Sequence, residues 1–188
     1  MAIRAFEFET QRLSFLVWRE SHRLPFAEMN ADPEVMRFFP STHTAEQSNA
    51  SVSLWLSQFE EQGWSNWAVQ LRSNGEFMGF IGLTVPRRQF AFSPCVEIAW
   101  RLKRASWGQG YATEGANECL RVGFERVGLN EIMSFTALKN LPSIAVMERI
   151  GMSNSSADFE HPALAAGHPL SLHCLYKLSR TQWQRRDA

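Results

Sequence analysis

The sequence predicts one mixed α/β domain, α+β in type, in which a mostly antiparallel sheet of about seven strands carries helices on its faces. Three observations predict it. Short runs with alternating apolar residues recur along the chain between turn residues, as half-buried strands do. Two of these runs, Asn66–Arg72 and Glu76–Val85, flank Ser73-Asn74-Gly75, whose Asn-Gly pair is a hairpin signal and makes them antiparallel neighbours. In the stretch Val96–Glu118 an apolar, β-prone run crosses two glycines directly into an amphipathic helix. At 188 residues the chain is long enough for one domain with a substantial core, read as residues 1–188, and short for two.

Thr10–Trp18 alternates around Leu13, Phe15 and Val17 and is the first strand. A helical region follows from about Ser21, disturbed by Pro25. Asp32-Pro33-Glu34 then reads as a cap with proline in the first turn of a short second helix ending near Phe38. Thr44-Ala45-Glu46-Gln47 matches a capping box. Val52, Trp55, Leu56 and Phe59 recur at i, i+3, i+4 and i+7, which predicts an amphipathic helix from Thr44 to about Gln62. The hairpin strands come next, then a loop, Pro86–Pro94, and a strand, Cys95–Leu102.

The helix from about Tyr111 to Val127 packs through Ala112, Ala116, Cys119, Leu120 and Gly123, small residues that bring its backbone close to a sheet. Glu131–Ala137 is the next strand. Asn140 caps a short helix with Pro142 in its first turn and Gly151 as its stop. Strands near Met152–Phe159 and Leu170–Leu178, joined by the loop His161–Pro169, complete the order β α α β β β α β α β β.

Composition narrows the function classes. Hydrophobic content of 45% and charged content of 20% are those of a globular protein. With 19 basic and 19 acidic residues, no net charge draws the chain to nucleic acid or to an anionic membrane. No run approaches membrane-span length and Met1–Leu13 has no signal-like segment, so the expected compartment is the cytoplasm. Cys95, Cys119 and Cys174 are odd in number and widely spaced, against a disulfide framework or zinc site, and are expected as reduced thiols. An exposed edge strand at either end of the sheet could pair between protomers, which leaves a homodimer open.

Gly108 and Gly110 sit between a strand and a helix N-terminus, where unpaired N–H groups and the helix dipole favour an anion. The dinucleotide fingerprint requires a third glycine where Thr113 stands, and the nucleoside-triphosphate loop requires Gly-Lys-Ser/Thr where Gly110-Tyr111-Ala112 stands. Neither fits. Trp100–Gly115 (WRLKRASWGQGYATEG) together with Asn140–Met152 (NLPSIAVMERIGM) resembles the coenzyme A loop and following strand–helix unit of the GCN5-related N-acetyltransferases. Within that family the resemblance is to the branch of the ribosomal-protein N-terminal acetyltransferases. More loosely it extends from Thr10-Gln11-Arg12-Leu13 to Leu175-Tyr176-Lys177-Leu178. The family's loop, Gln/Arg-x-x-Gly-x-Gly/Ala, has Ala105 in its first position here, with Arg104 beside it to supply a phosphate contact.

The resemblance implies a sheet splayed between its fourth and fifth strands and acetyl-coenzyme A as cosubstrate, with no metal. It puts the pyrophosphate over Trp107, Gly108, Gln109, Gly110, Tyr111, Ala112 and Thr113, and the pantetheine along Ile98, Trp100, Arg101 and Leu102. An N–H of Ile98 or Ala99 faces the thioester oxygen, and Asn140 and Ser143 also reach the cofactor. The implied acceptor is a primary amine, first a protein or peptide N-terminal α-amine and next a small-molecule amine. Glu97 is the one acid on its strand, on the face opposite Ile98 and Trp100; it either receives the substrate's proton through a water or pairs with Arg101, Lys103 or another arginine. Met147 occupies the position where relatives carry a tyrosine acid, leaving Ser143 as the nearest hydroxyl. That departure keeps a non-catalytic acyl-coenzyme A-binding module on the same fold as an alternative. Phe38, Phe39, Trp64, Trp67 and Trp107, with His161, His168 and His173, lie in segments the family places around the acceptor pocket or cofactor entrance.

Overall fold

A computed structural model describes residues 4–165 and 167–186. The ends of the expected 1–188 domain, and Ala166 within the expected His161–Pro169 loop, lie outside the described residues. The strands are β1 (Phe8–Glu9), β2 (Leu13–Leu16), β3 (Asn66–Leu71), β4 (Phe77–Thr84), β5 (Glu97–Leu102), β6 (Glu131–Ala137), β7 (Ser153–Asn154), β8 (Phe159–Glu160) and β9 (Leu172–Ser179). They form one sheet in the order β1-β2-β3-β4-β5-β6-β9-β7, with β8 also on β9. Every pairing is antiparallel except β5 with β6. The helices are α1 (Glu20–Ala31), α2 (Ala45–Gln62), α3 (Tyr111–Arg121), α4 (Leu141–Arg149) and α5 (Arg180–Gln184).

The capping box at Thr44 forms as expected: its side chain accepts from the Gln47 N–H, and Gln47 Oε1 accepts from the Thr44 N–H (2.9 Å). Pro25 does not break α1. It is tolerated because Phe26 and Met29 are buried on that helix, and Trp18, Phe26, Trp55 and Phe80 stack there as one aromatic group. The expected helix at Asp32–Phe38 is a run of turns instead. Asp32 Oδ1 accepts from the Glu34 N–H (2.8 Å), the local bond that makes Asp favour turns over helix.

Two further departures concern the sheet edges. Phe8–Glu9 adds a short strand, its Phe8 ring stacked on Phe15 at 4.4 Å. The strand expected at Met152–Phe159 is split into β7 and β8, both on β9. The polar Ser153-Asn154-Ser155-Ser156 stretch gives no alternation, and Ser156 takes a left-handed backbone with φ 55°. These two-residue pieces account for nine strands where the sequence counts about seven.

On the other face of the sheet from α1 and α2, Ala116, Cys119 and Leu120 of α3 are fully buried. The helix continues to Val127, as expected, with Val122–Val127 in π geometry. Asn140 caps α4 through its Oδ1, which accepts the Ser143 N–H (3.4 Å), while its Nδ2 donates to Thr136 Oγ1 on β6 (2.9 Å). Asn140→Ala is expected to lower unfolding free energy by about 1 kcal/mol in urea denaturation.

Candidate functional site

The sheet is parted in its middle. β5 pairs β4 over its whole length, but it pairs β6 at a single position, Glu97 against Met133. The Met133 N–H donates to the Val96 carbonyl (2.9 Å), and the buried Ser134 hydroxyl donates to the Ile98 carbonyl (3.0 Å). No register pair follows, so the strands diverge from there. Ser134 pins the point of divergence, and nothing in the periodicity of the sequence marks it.

Alternation decides which groups face the gap. The Lys103 N–H donates to the Met78 carbonyl of β4, so the main-chain groups of Glu97, Ala99 and Arg101 also face β4. Those of Ile98, Trp100 and Leu102 face β6. The Leu102 carbonyl accepts from the Trp107 indole (2.9 Å), while the Trp100 N–H and carbonyl open into the gap. Of the two oxyanion donors expected, Ala99 therefore has its N–H in the β4 ladder, and Ile98 lies at the bridge itself. The β5 amide groups open to a ligand begin at Trp100.

The Trp107–Thr113 loop lies at the N-terminus of α3. Its N–H groups from Gly108 through Thr113 have no backbone or side-chain acceptor among the described residues; the first helical bond is Glu114 N–H to Gly110 carbonyl (2.9 Å). Gly108 and Gly110 take φ of 73° and 80°, a left-handed backbone that glycine adopts without strain. A Cβ on Gly108 would meet nothing within 4 Å, so the space above the loop is open. What holds the loop was not legible in its own sequence. Arg12 donates to the Gln109 carbonyl (3.0 Å) and to Glu114 Oε2 (2.6 Å), Thr10 Oγ1 donates to Glu114 Oε1 (2.6 Å), and the Arg12 guanidinium lies over the Tyr111 ring at 4.4 Å. Arg104 is exposed beside the loop.

Side-chain alternation sorts the remaining residues onto two faces. Ile98, Trp100 and Leu102 point toward α3, whereas Glu97, Ala99 and Arg101 point to the side of α1 and α2. Among the described residues no cation lies within salt-bridge distance of Glu97, so the ion pairs considered from sequence do not form. Burial without compensation pushes its carboxyl up to about 8. Arg101, expected beside the pantetheine, has its main chain in the β4 ladder and turns its side chain to the α1–α2 face. Its guanidinium donates to Asn30 Oδ1 of α1 (2.7 Å) and lies 4.1 Å from the Phe39 ring centre and 5.6 Å from that of Phe80.

Across the gap, on the same face as Glu97, Phe135 of β6 gathers Phe90, Phe92, Phe159 and His161 into one aromatic wall, and His161 and His173 lie 4.8 Å apart. Burial, then the neighbouring His173 and Arg88, lowers His161 to about 4, so the wall is uncharged at neutral pH. Phe90, Phe92, Phe135 and His43, which contribute to this face, were missed; they occupy a loop, an ordinary strand position and a turn. Trp64 and Trp67 are core residues, and His168 is half-buried, with Nδ1 accepting the Leu170 N–H. On the α4 side Ser143 is half-buried in the first turn, and Met147 is buried in the core.

The parted sheet thus sets an open strand edge beside a loop of unpaired N–H groups. The acetyltransferase (GNAT) domain family matches residues 12–153, and this chain belongs to that family, whose acetyl donor is acetyl-coenzyme A. A relative from Aspergillus fumigatus, FsC-acetyl coenzyme A-N(2)-transacetylase, is 30% identical over 94% of this chain and 77% of its own length. The GNAT-family acetyltransferase of Bacillus anthracis shares the fold with a TM-score of 0.76 at 22% identity, over 94% of this chain and 99% of that one. RimL, a ribosomal L7/L12 alpha-N-protein acetyltransferase solved with coenzyme A, shares it with a TM-score of 0.72 at 13% identity, over 93% and 98%.

Proposed function

We propose that this protein transfers the acetyl group of acetyl-coenzyme A to a primary amine by direct attack in a ternary complex. The observation that carries the reading is the gap between β5 and β6 opening beside the unpaired N–H groups of Gly108–Thr113. Those groups receive the pyrophosphate, and the open Trp100 main chain pairs with the pantetheine amides, the cofactor lying along the edge as an added strand. Asn140 and Ser143 border the same channel from α4. The amine enters from the α1–α2 face, where Glu97 accepts the ammonium's proton through a water. The C–N bond forms, the C–S bond breaks, and the departing thiolate takes up the second proton that the acylated nitrogen loses, which needs no tyrosine at position 147. The setting is the cytoplasm, with its three cysteines as free thiols.

The acceptor read first is a protein or peptide N-terminal α-amine, supported by fold likeness to RimL. The Aspergillus relative, named for acetyl coenzyme A and an N(2) position of FsC, favours a second reading, a small-molecule amine. Thiol release from acetyl-coenzyme A across peptides and small amines tests both. Release with at least one amine is expected, and none above background across the panel, with acetyl-coenzyme A still bound, would leave a binding module. Gly108→Val is expected to raise the KM for acetyl-coenzyme A about tenfold or more with little change in kcat. The new side chain fills the open space over the loop, while left-handed strain costs only about 1–2 kcal/mol of stability. Steady-state kinetics beside a denaturation curve separates the two effects.

A further inference from the structure

We propose that the acceptor amine also carries a carboxylate, and that Arg101 is the residue that reads it. This rests on the acetyltransferase reading for the position of the amine. Arg101 stands on the acceptor face of β5, and its Nε is buried with no partner. Among the described residues it has no carboxylate within salt-bridge distance. Its one hydrogen bond runs to a neutral amide. Asn30 is fixed in that role, since its Nδ2 donates to Ser48 Oγ (3.0 Å) and its oxygen is thereby turned toward the guanidinium.

A buried cation without a counter-ion is costly, and an aspartate at position 30 would have neutralised it. Burial accordingly lowers the guanidinium to about 10. His43 shows the same deficit: its Nδ1 is buried without a partner, and burial and then the charge of Arg101 lower its pKa. With the proton on Nδ1 it adds a second donor to the same anion. The Phe39 and Phe80 rings lie 4.1 and 5.6 Å from the guanidinium and give it cation–π contact.

Glu97 and Arg101 share a face four residues apart, roughly 13 Å along an extended strand. An acceptor bridging them, with a water between its ammonium and Glu97, has its amine and carboxylate separated by several bonds. Linear ω-amino acids and short peptides with an acidic second residue both satisfy that requirement. The shared chemistry is one molecule with an ammonium at one end and a carboxylate at the other.

The test compares 6-aminohexanoate with 6-aminohexanamide, and a tripeptide with aspartate at its second position with the asparagine peptide, in acetyl-coenzyme A consumption. The wild-type protein is expected to prefer the acid of at least one pair by about 10- to 100-fold in kcat/KM, the size of a charge-assisted hydrogen bond to a buried partner. The pair that shows the preference identifies the source. Arg101→Gln is expected to bring that ratio to about one, and Arg101→Lys to retain part of it. Calorimetric titration of the same four compounds into the wild-type protein with coenzyme A present gives a readout independent of turnover and of any variant's folding. Preferential binding of an acid with no thiol release would sink the acetyltransfer reading and leave the anion site standing. Acid and amide reacting or binding equally in both pairs would overturn the assignment of Arg101.

Discussion

Glu97→Gln is expected to lower kcat by about 10²- to 10³-fold while leaving the binding of acetyl-coenzyme A unchanged, since the residue faces the acceptor side of β5 and lies away from the Gly108–Thr113 loop. The size follows from the role: a general base near its substrate contributes on that scale, and no second acid shares the strand. The same residue sets the pH dependence. With its carboxyl pushed up to about 8 by burial, Glu97 is mostly protonated at pH 7, and wild-type kcat/KM should rise with pH and level off above about 8. The variant should show no such rise.

Stability should move the other way. The folded-state value lies above the ordinary 4.5, so the folded protein favours the neutral carboxyl. That advantage is complete below pH 4.5 and is lost as the pH rises through 8. Glutamine never ionises, so at pH 9 Glu97→Gln should be the more stable protein by several kcal/mol, with the difference gone at pH 4. Lower activity with higher alkaline stability is a pairing that a purely structural glutamate would not give.

The second large effect is expected at Gly115. A Cβ at this position would come within 2.4 Å of Ile81 Cδ1 and 3.0 Å of Phe15 Cζ, so any side chain here must displace buried core side chains. Gly115→Val must push the helix outward or displace both core side chains. Overpacking of this kind costs about 3 kcal/mol, a fall in Tm of roughly 6–12 °C for a chain of this size. The helix carries its N-terminal loop with it, so affinity for acetyl-coenzyme A should also fall about tenfold, unlike a core substitution remote from α3. A Tm drop with unchanged affinity would show that the loop is positioned independently of the helix, by the Arg12 bond to the Gln109 carbonyl.

The parts of this fold legible in the sequence are those set by local chemistry. The Thr44 capping box, the Asn74-Gly75 turn, the small-residue face of α3 and the Asn140 cap each depend on residues within a few positions of one another. Alternation alone set Glu97 opposite Ile98 and Trp100, which is why that candidate was visible before the structure. The proposed acceptor face was not visible, because it is assembled from distant segments. Asn30, His43, Arg101 and the Phe90–Phe135–Phe159 wall come together only when α1, the loop before β5 and the antiparallel β6–β9 pair fold onto one side of the sheet. Arg101 illustrates the difference: its place in the loop motif points to the cofactor, and its strand parity points to the acceptor. The splayed gap likewise depends on Ser134, a serine like any other until its hydroxyl is seen on the Ile98 carbonyl.

The measurement that tests the central claim most directly is a thermal-shift titration with acetyl-coenzyme A, with ATP and NAD as comparisons. A ligand seated on the free N–H groups of Gly108–Thr113 and the open edge of β5 binds only the folded state, so Tm should rise with concentration, by an amount equivalent to about 2.7 kcal/mol at one hundred times Kd. ATP and NAD, which lack the pantetheine arm that fills the gap, should give little or no rise. A flat response to acetyl-coenzyme A, or an equal response to ATP, would contradict the assignment of the parted sheet as the acetyl donor's site.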